Sequence, residues 1–87
     1  MYTLQIERHA ERDLKRLKKH SPAIFSRIIS HVSSLKDNPR PKGVRKIVGS
    51  KNDWRIAICD YRVIYEIDDQ QKAVYIFRIK HRREVYR

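Results

Sequence analysis

The chain of 87 residues carries 21 Lys and Arg against 10 Asp and Glu, and its formal net charge of +11 predicts a polyanion or an acidic protein as the partner. Its length predicts one domain over residues 1–87, and no apolar run approaches the roughly 20 residues of a membrane-spanning helix. Cys59 is the only cysteine, which excludes an internal disulfide and a zinc site of clustered thiolates, so we expect a cytoplasmic protein without a cofactor.

The N-terminal half of the sequence predicts one strand and two helices. Residues 2–7 alternate apolar and polar side chains, which is the period of a strand with one buried face. From Ala10 the apolar residues recur at i, i+4 and i+7 with basic residues between them, which predicts a basic amphipathic helix. Ser21-Pro22 is a favourable helix start, and we expect a second helix to run to about Lys36, before the turn at 37–39.

The C-terminal half of the sequence predicts a sheet. A short apolar stretch at 44–48 is followed by alternating segments at 54–59, 61–67 and 73–80, which are separated by short polar turns. Tight turns imply antiparallel pairing, and the two helices must cover one face of the sheet to bury their apolar sides. The sequence therefore predicts an α+β fold with an N-terminal strand and a hairpin of two helices packed on one face of a three- to four-stranded antiparallel sheet.

Positive charge is concentrated in the predicted sheet. Arg55, Arg62 and Arg78 each stand where a neutral residue would be expected on a half-buried face, so we expect them to line one concave surface. The four histidines lie in different predicted elements without metal-binding spacing, and no metal site is expected. The open face of the sheet is left for function.

The last eight residues combine arginines, a histidine and a tyrosine close to the strand predicted at 60–66. Arginine offers charged donor forks that match a phosphate, and tyrosine or histidine can move protons beside it. Such a set could cleave RNA without a metal, or it could only hold a polyanion. Plainer roles also stay open, since Arg62 could pair with Glu66. His81 could be an ordinary surface residue, and Tyr86 could pack on the sheet edge.

The sequence resembles the RelE/ParE superfamily of bacterial toxins from type II toxin–antitoxin systems, and more closely its RelE branch. The resemblance covers nearly the whole chain and rests on the helix at 10–17, the Trp54-Arg55 strand, the strand at 60–67 and the ending at 81–87. It implies a small basic α+β toxin that cleaves messenger RNA at the decoding site of the ribosome. The implied chemistry is attack of the RNA's own 2′-hydroxyl on the adjacent phosphate, with no metal ion.

The resemblance also implies a role for individual residues. Arg62 matches the phosphate-binding strand arginine, Tyr86 the near-terminal tyrosine that would act as the base, and Arg82 is the match for a second arginine. Arg83 or Lys80 could take the place of Arg82, and His81 could be the proton donor. The implied catalytic residues are Arg62, Arg82, Tyr86 and His81. The implied RNA-binding residues are Lys42, Arg45, Lys46, Lys51, Arg55, Arg78, Lys80 and Arg83.

A cognate antitoxin is the protein partner that the resemblance implies, with an acidic segment that covers the basic face, alongside the ribosome and messenger RNA. The sequence stops at Arg87, which leaves no room for the C-terminal helix that some members of the superfamily carry. Two alternatives stay open: a ParE-like inhibitor of DNA gyrase without a nuclease site, and a nucleic-acid-binding module without catalysis. The combination of Arg62 with residues 81–86 argues against a pure binding protein, because binding alone does not need that set.

Overall fold

The computed structural model describes residues 1–85 and confirms the α+β fold. Its elements are β1 (Thr3–Ile6), α1 (Arg8–His20), α2 (Pro22–Ser34), β2 (Arg45–Lys46), β3 (Asp53–Ile58), β4 (Tyr61–Asp68), β5 (Ala73–His81) and α3 (Arg82–Val85). The second helix ends two residues before the predicted Lys36. No helix within residues 1–85 is long and apolar enough to cross a membrane.

The five strands form one sheet in the order β1-β5-β4-β3-β2. The count is larger than predicted because β1 joins the sheet as an edge strand, parallel to β5, while the other neighbours are antiparallel. Thr3 pairs with Ala73 and Ile6 with Ile76. The alternation of residues 2–7 predicts a strand correctly but contains no information about its partner, since that partner lies about 70 residues further along the chain.

The two helices cover one face of the sheet. Ala10, Leu14 and Leu17 of α1 and Ile28 and Val32 of α2 are buried against the sheet residues of the core. The sheet contributes its fully buried side chains in alternation, at Val63, Tyr65, Ile67, Val74 and Ile76. This alternation turns the intervening residues of β4 to the opposite, open face.

Tyr65 is the largest fully buried side chain of the described residues. Its hydroxyl donates a hydrogen bond of 2.8 Å to the carbonyl oxygen of Pro39, and burial raises the pKa of its phenol. The bond satisfies a polar group that would be costly to bury alone. It also holds the segment between α2 and β2 against the middle of the sheet.

A bulge interrupts the pairing of β4 with β5. Ile64 pairs with Arg78, but the next residue of β4, Tyr65, pairs with Ile76, so Phe77 is an extra residue on β5. Beyond the bulge, Ile79 pairs with Val63. A bulge re-aims the residues that follow it, and here those residues form the predicted functional end of β5.

The chain continues from β5 directly into α3, a single turn of helix that no pattern in the sequence predicts. The backbone N–H of Arg82 donates to the carbonyl oxygen of Asp60 at 2.7 Å, which ties the start of α3 to the turn between β3 and β4. Tyr86, the predicted base, lies outside the described residues.

Candidate nucleic-acid interface

Three arginines from three neighbouring strands surround a depression on the open face of the sheet. Arg45 comes from β2, Arg55 from β3 and Arg62 from β4, and Gly43 and Ala57 complete the lining. We call this depression the arginine hollow. Its position agrees with the prediction that Arg55 and Arg62 line one surface.

The register of the strands explains why these side chains meet. Arg45 is paired with Arg55, and Arg62 with Ala57, so the arginines occupy adjacent positions on one face. The exposed Ala57 fills little space between the guanidinium groups. Gly43 has a φ of +94°, which favours glycine, and this backbone turn leads the chain into β2.

The positive surface continues onto β5, where Lys80 is paired with Arg62. Arg45, Arg55, Arg62 and Lys80 therefore form a row of cations across four strands. Cations held this close together generate a positive potential that a phosphate group would reduce. Arg62 also donates from Nη1 to the carbonyl oxygen of Tyr61 at 3.2 Å, which orients its guanidinium.

His81 lies beside Lys80 at the end of β5, where it is paired with Tyr61. The two rings make an edge-to-face contact with their centroids 5.2 Å apart. The backbone N–H of Arg83 donates to Nδ1 of His81 at 3.3 Å. Because Tyr61 and Arg62 are consecutive on β4, the pair of Tyr61 and His81 lies on the face of the sheet opposite to Arg62 and Lys80.

Arg78 is placed differently from the prediction that it shares a concave surface with Arg55 and Arg62. Its Nε donates to Oδ2 of Asp13 in α1 at 3.0 Å, and its Nη2 donates to Oδ1 at 3.3 Å. These hydrogen bonds raise the pKa of Arg78. Arg78 is therefore engaged in joining β5 to α1, and it does not line the arginine hollow.

The remaining predicted RNA-binding residues are exposed but do not line the hollow: Lys42, Lys46, Lys51 and Arg83. Lys46 places its Nζ 6.0 Å from the ring centroid of Trp54, which is one of two cations over that indole. Arg82 is exposed on α3. The structure thus brings Arg45, Arg55, Arg62 and Lys80 together, while Lys51 and the α3 arginines are outside the lining of the hollow.

Arg40 is a residue whose role the sequence analysis missed. Its Cζ lies 5.2 Å from the ring centroid of Trp54, and its Nη2 donates to Oδ2 of Asp69 at 2.8 Å. The hydroxyl of Tyr2 donates to Oδ1 of Asp69 at 2.6 Å. The hydrogen bonds from Arg40 and then Tyr2 lower the pKa of Asp69 to about 2. No sequence pattern signals this network, because its members are 29 and 67 residues apart.

A family model described as the ParE toxin of the type II toxin–antitoxin system parDE matches residues 4–86. The chain is a toxin of the RelE/ParE superfamily. The toxin is 31% identical over 90 residues to Toxin RelG of Mycobacterium tuberculosis, an alignment that covers 99% of this chain and 97% of that protein. The superfamily predicted from the sequence is confirmed.

Solved structures have the same fold as the toxin. The RelBE2 toxin–antitoxin complex of Mycobacterium tuberculosis matches with a TM-score of 0.77 and 26% identity, over 92% of this chain and 96% of that chain. The archaeal RelE–RelB complex of Pyrococcus horikoshii matches with a TM-score of 0.78 and 28% identity, over 93% and 94%. Both neighbours were solved in complex with a partner, so a cognate antitoxin is the partner type expected for a toxin of this superfamily.

The arginine hollow of the toxin has the chemistry to bind a phosphate diester. Guanidinium groups from Arg45, Arg55 and Arg62 can approach one phosphate from several sides, each with fixed donors. Donors placed in advance stabilise negative charge that develops on a phosphate during displacement. A phosphate group is therefore the ligand that the chemistry of the hollow suits.

Proposed function

We propose that this toxin is a ribosome-dependent messenger RNA endonuclease that acts in the cytoplasm and inhibits translation. The observation that supports the proposal is the arginine hollow, where Arg62 and two further arginines meet beside Lys80. The relative RelG is named a toxin and two structural neighbours are RelE-type toxins, which is consistent with this branch of the superfamily.

The proposed reaction needs no metal ion. The 2′-hydroxyl oxygen of the RNA attacks the adjacent phosphorus and forms a bond to it, while the bond from phosphorus to the 5′ oxygen breaks. The products are a 2′,3′-cyclic phosphate and a free 5′-hydroxyl. Arg45, Arg55 and Arg62 would hold the phosphate and the charge that accumulates on its oxygens in the transition state.

Two proton transfers accompany this displacement. In the proposal Tyr86 removes the proton of the 2′-hydroxyl; because a tyrosine ordinarily loses its proton only near pH 10, nearby cations must favour the phenolate. The leaving 5′ oxygen receives a proton, and the candidate donors are a protonated His81 and the ammonium group of Lys80, which pairs with Arg62. Arg82 would be the second phosphate-binding arginine, with Arg83 and Lys80 as its alternatives.

The partners in this proposal are the ribosome with its messenger RNA, and a cognate antitoxin. An antitoxin with an acidic segment would be attracted to the basic open face and would compete with RNA for it. Electrostatic steering would make that association fast at low salt and slower at high salt.

The test is primer extension on messenger RNA from translating ribosomes incubated with the toxin, with a ribosome-free sample as the control. New 5′ ends at decoding-site positions, found only when ribosomes are present, would support the proposal. The cut ends should carry a 2′,3′-cyclic phosphate and a 5′-hydroxyl, which end-specific labelling distinguishes. Arg62→Ala should abolish these ends, whereas Arg27→Ala, on the exposed side of α2, should not.

The second candidate is a DNA gyrase inhibitor, because the matching family model bears the ParE description. Such a protein would bind gyrase without cutting RNA. Folded wild-type protein that produces no new RNA ends but blocks supercoiling by gyrase would overturn the nuclease proposal in favour of this one. Protein that binds RNA but does neither would be a nucleic-acid-binding module.

A further inference from the structure

One buried carboxylate fastens the functional end of β5 to α1. Asp13 is 6% exposed and is the only charged residue buried among residues 1–84. Its Oδ2 accepts hydrogen bonds from the backbone N–H of Ile79 at 2.8 Å and from Nε of Arg78 at 3.0 Å. Its Oδ1 accepts a third from Nη2 of Arg78 at 3.3 Å. We call these three residues the Asp13 clamp.

The clamp lies where β5 loses one of its neighbours. Pairing with β1 ends at Ile6 and Ile76, and the N–H of Glu7 makes the last bond, to the carbonyl of Ile76 at 2.9 Å. From there β5 continues to His81 with β4 on one side. The bulge at Phe77 falls in the same place. Asp13 accepts the hydrogen bond of the Ile79 N–H, which a neighbouring strand would otherwise accept. It thereby holds β5 immediately after the bulge at Phe77.

The residues that follow the clamp belong to the candidate interface. Lys80 pairs with Arg62 of the arginine hollow, and His81 packs its ring against Tyr61. A strand end paired on one side only opens more readily than one paired on both sides, so the geometry of Lys80 and His81 depends on how firmly Ile79 is held.

We propose that Asp13 is a positioning residue of the cleavage site, whose carboxylate fixes the end of β5 so that Lys80 stands in place beside Arg62 and His81 against Tyr61. The inference rests on the proposed messenger RNA cleavage. A charge buried at this position needs a specific reason, because an unpaired carboxylate is strongly disfavoured inside a protein. Misplacement of reacting groups by about 1 Å costs roughly 100-fold in rate, so a small shift of β5 has a large effect.

The test uses Asp13→Asn, which keeps the shape of the side chain and an acceptor for the Ile79 N–H but removes the charge that holds Arg78. The matched control is Val32→Ala, which lowers the melting temperature from a buried site on α2. Rates of cleavage on programmed ribosomes give kcat and KM for each variant, and hydrogen exchange by NMR gives the protection of single backbone amides.

Asp13→Asn is expected to lower kcat by about 10- to 100-fold while KM changes by less than about twofold, because positioning acts on the transition state. The amides of residues 79–81 should exchange faster, while those of β3 keep their protection. Val32→Ala should leave kcat of the folded protein unchanged. The double variant Asp13→Asn/Arg78→Gln should recover part of kcat, because it restores a neutral hydrogen-bonded pair.

An unchanged kcat for Asp13→Asn, or an equal loss of kcat in Val32→Ala, would overturn the proposal and leave Asp13 a purely structural residue. Should Asp13→Asn fail to fold, Arg78→Gln carries the same test, since the Arg78 side chain is 35% exposed. If the wild type does not cleave RNA, the proposed function is overturned. Hydrogen exchange of the backbone amides then tests by itself whether Asp13 holds the end of β5. Faster exchange at residues 79–81 supports the clamp, and unchanged exchange overturns it.

Discussion

Charged side chains are arranged differently on the two faces of the sheet. On the covered face, Arg78 and the buried Asp13 neutralise each other through hydrogen bonds that join helix and strand. On the open face, strand register gathers Arg45, Arg55 and Arg62 into one hollow. Charge on the covered face thus joins two elements of the fold, whereas charge on the open face is gathered around one depression. Substitutions on the two faces should therefore separate stability from binding.

The largest effect on stability is expected from the covered face. Ile28 of α2 is completely buried, and Ile28→Ala should lower the free energy of unfolding by about 2–5 kcal/mol, because it removes buried methyl groups and leaves a cavity. Urea unfolding followed by circular dichroism measures this loss. Per folded molecule, affinity for RNA should stay at the wild-type value. A fall in affinity for RNA that accompanies the loss of stability would show that the two faces are not independent.

The largest effect on activity is expected from the open face. Arg62→Ala should lower the rate of RNA cleavage by about 100- to 1,000-fold, as does the loss of one preorganised donor to a transition-state charge. Its melting temperature should change little, since the Arg62 side chain lies on a partly exposed face and donates a hydrogen bond of 3.2 Å to the adjacent carbonyl of Tyr61; Arg62→Lys, which keeps the charge, is the matched control. Cleavage assays and thermal unfolding on one preparation measure both quantities. A large fall in melting temperature would assign Arg62 to the fold instead.

A smaller effect should appear in the salt dependence of binding to single-stranded RNA. If Arg55 contacts one phosphate, Arg55→Ala should reduce the slope of log K against log salt concentration by about 0.7. Lys19→Ala, on the exposed side of α1, removes the same charge away from the hollow and should leave the slope unchanged. Fluorescence anisotropy titrations at several salt concentrations give both slopes. Equal changes in the two variants would show that RNA contacts the helical face as well.

The smallest effect concerns the network of Arg40, Asp69 and Tyr2 at acid pH. The pKa of Asp69 is lowered from its ordinary 3.8 to about 2, so its contribution to stability is complete above the ordinary value and is lost as the pH falls towards 2. Asp69→Asn should therefore be less stable than the wild type at neutral pH, with a difference that shrinks below about pH 4. Urea unfolding at neutral and acid pH tests this; a constant difference would contradict it.

Local patterns predicted much of the molecule. Periodicity indicated the helices around Leu14 and Ile28 and the strands of β3, β4 and β5, because an element with one buried face must repeat its apolar residues at its own period. Arginines at half-buried strand positions indicated the hollow correctly for Arg55 and Arg62. The combination of the strand at 60–67 with the ending at 81–87 indicated the superfamily.

Long-range contacts could not be predicted in the same way. In the sequence, Arg78 occupies the same kind of strand position as Arg62. Its side chain lies outside the hollow because it donates hydrogen bonds to Asp13, which is 65 residues away in the sequence. The bulge at Phe77 shifts the register without any glycine or proline to mark it. No local sequence pattern indicates the parallel pairing of β1 either, since alternation specifies which face of a strand is buried and not which strand lies beside it.

The parallel pairing of β1 with β5 has a consequence for the order in which the molecule assembles. The first strand can be completed only by the last one, so the contact between Thr3 and Ala73 closes a loop of about 70 residues. Helix α1 and helix α2 are local and can form early, but the edge of the sheet must wait for β5, which also brings Lys80 to Arg62. During synthesis, a chain whose β5 is still inside the ribosome therefore lacks Lys80, one of the four cations of the row, and the ribosome that makes the toxin meets an unfinished protein.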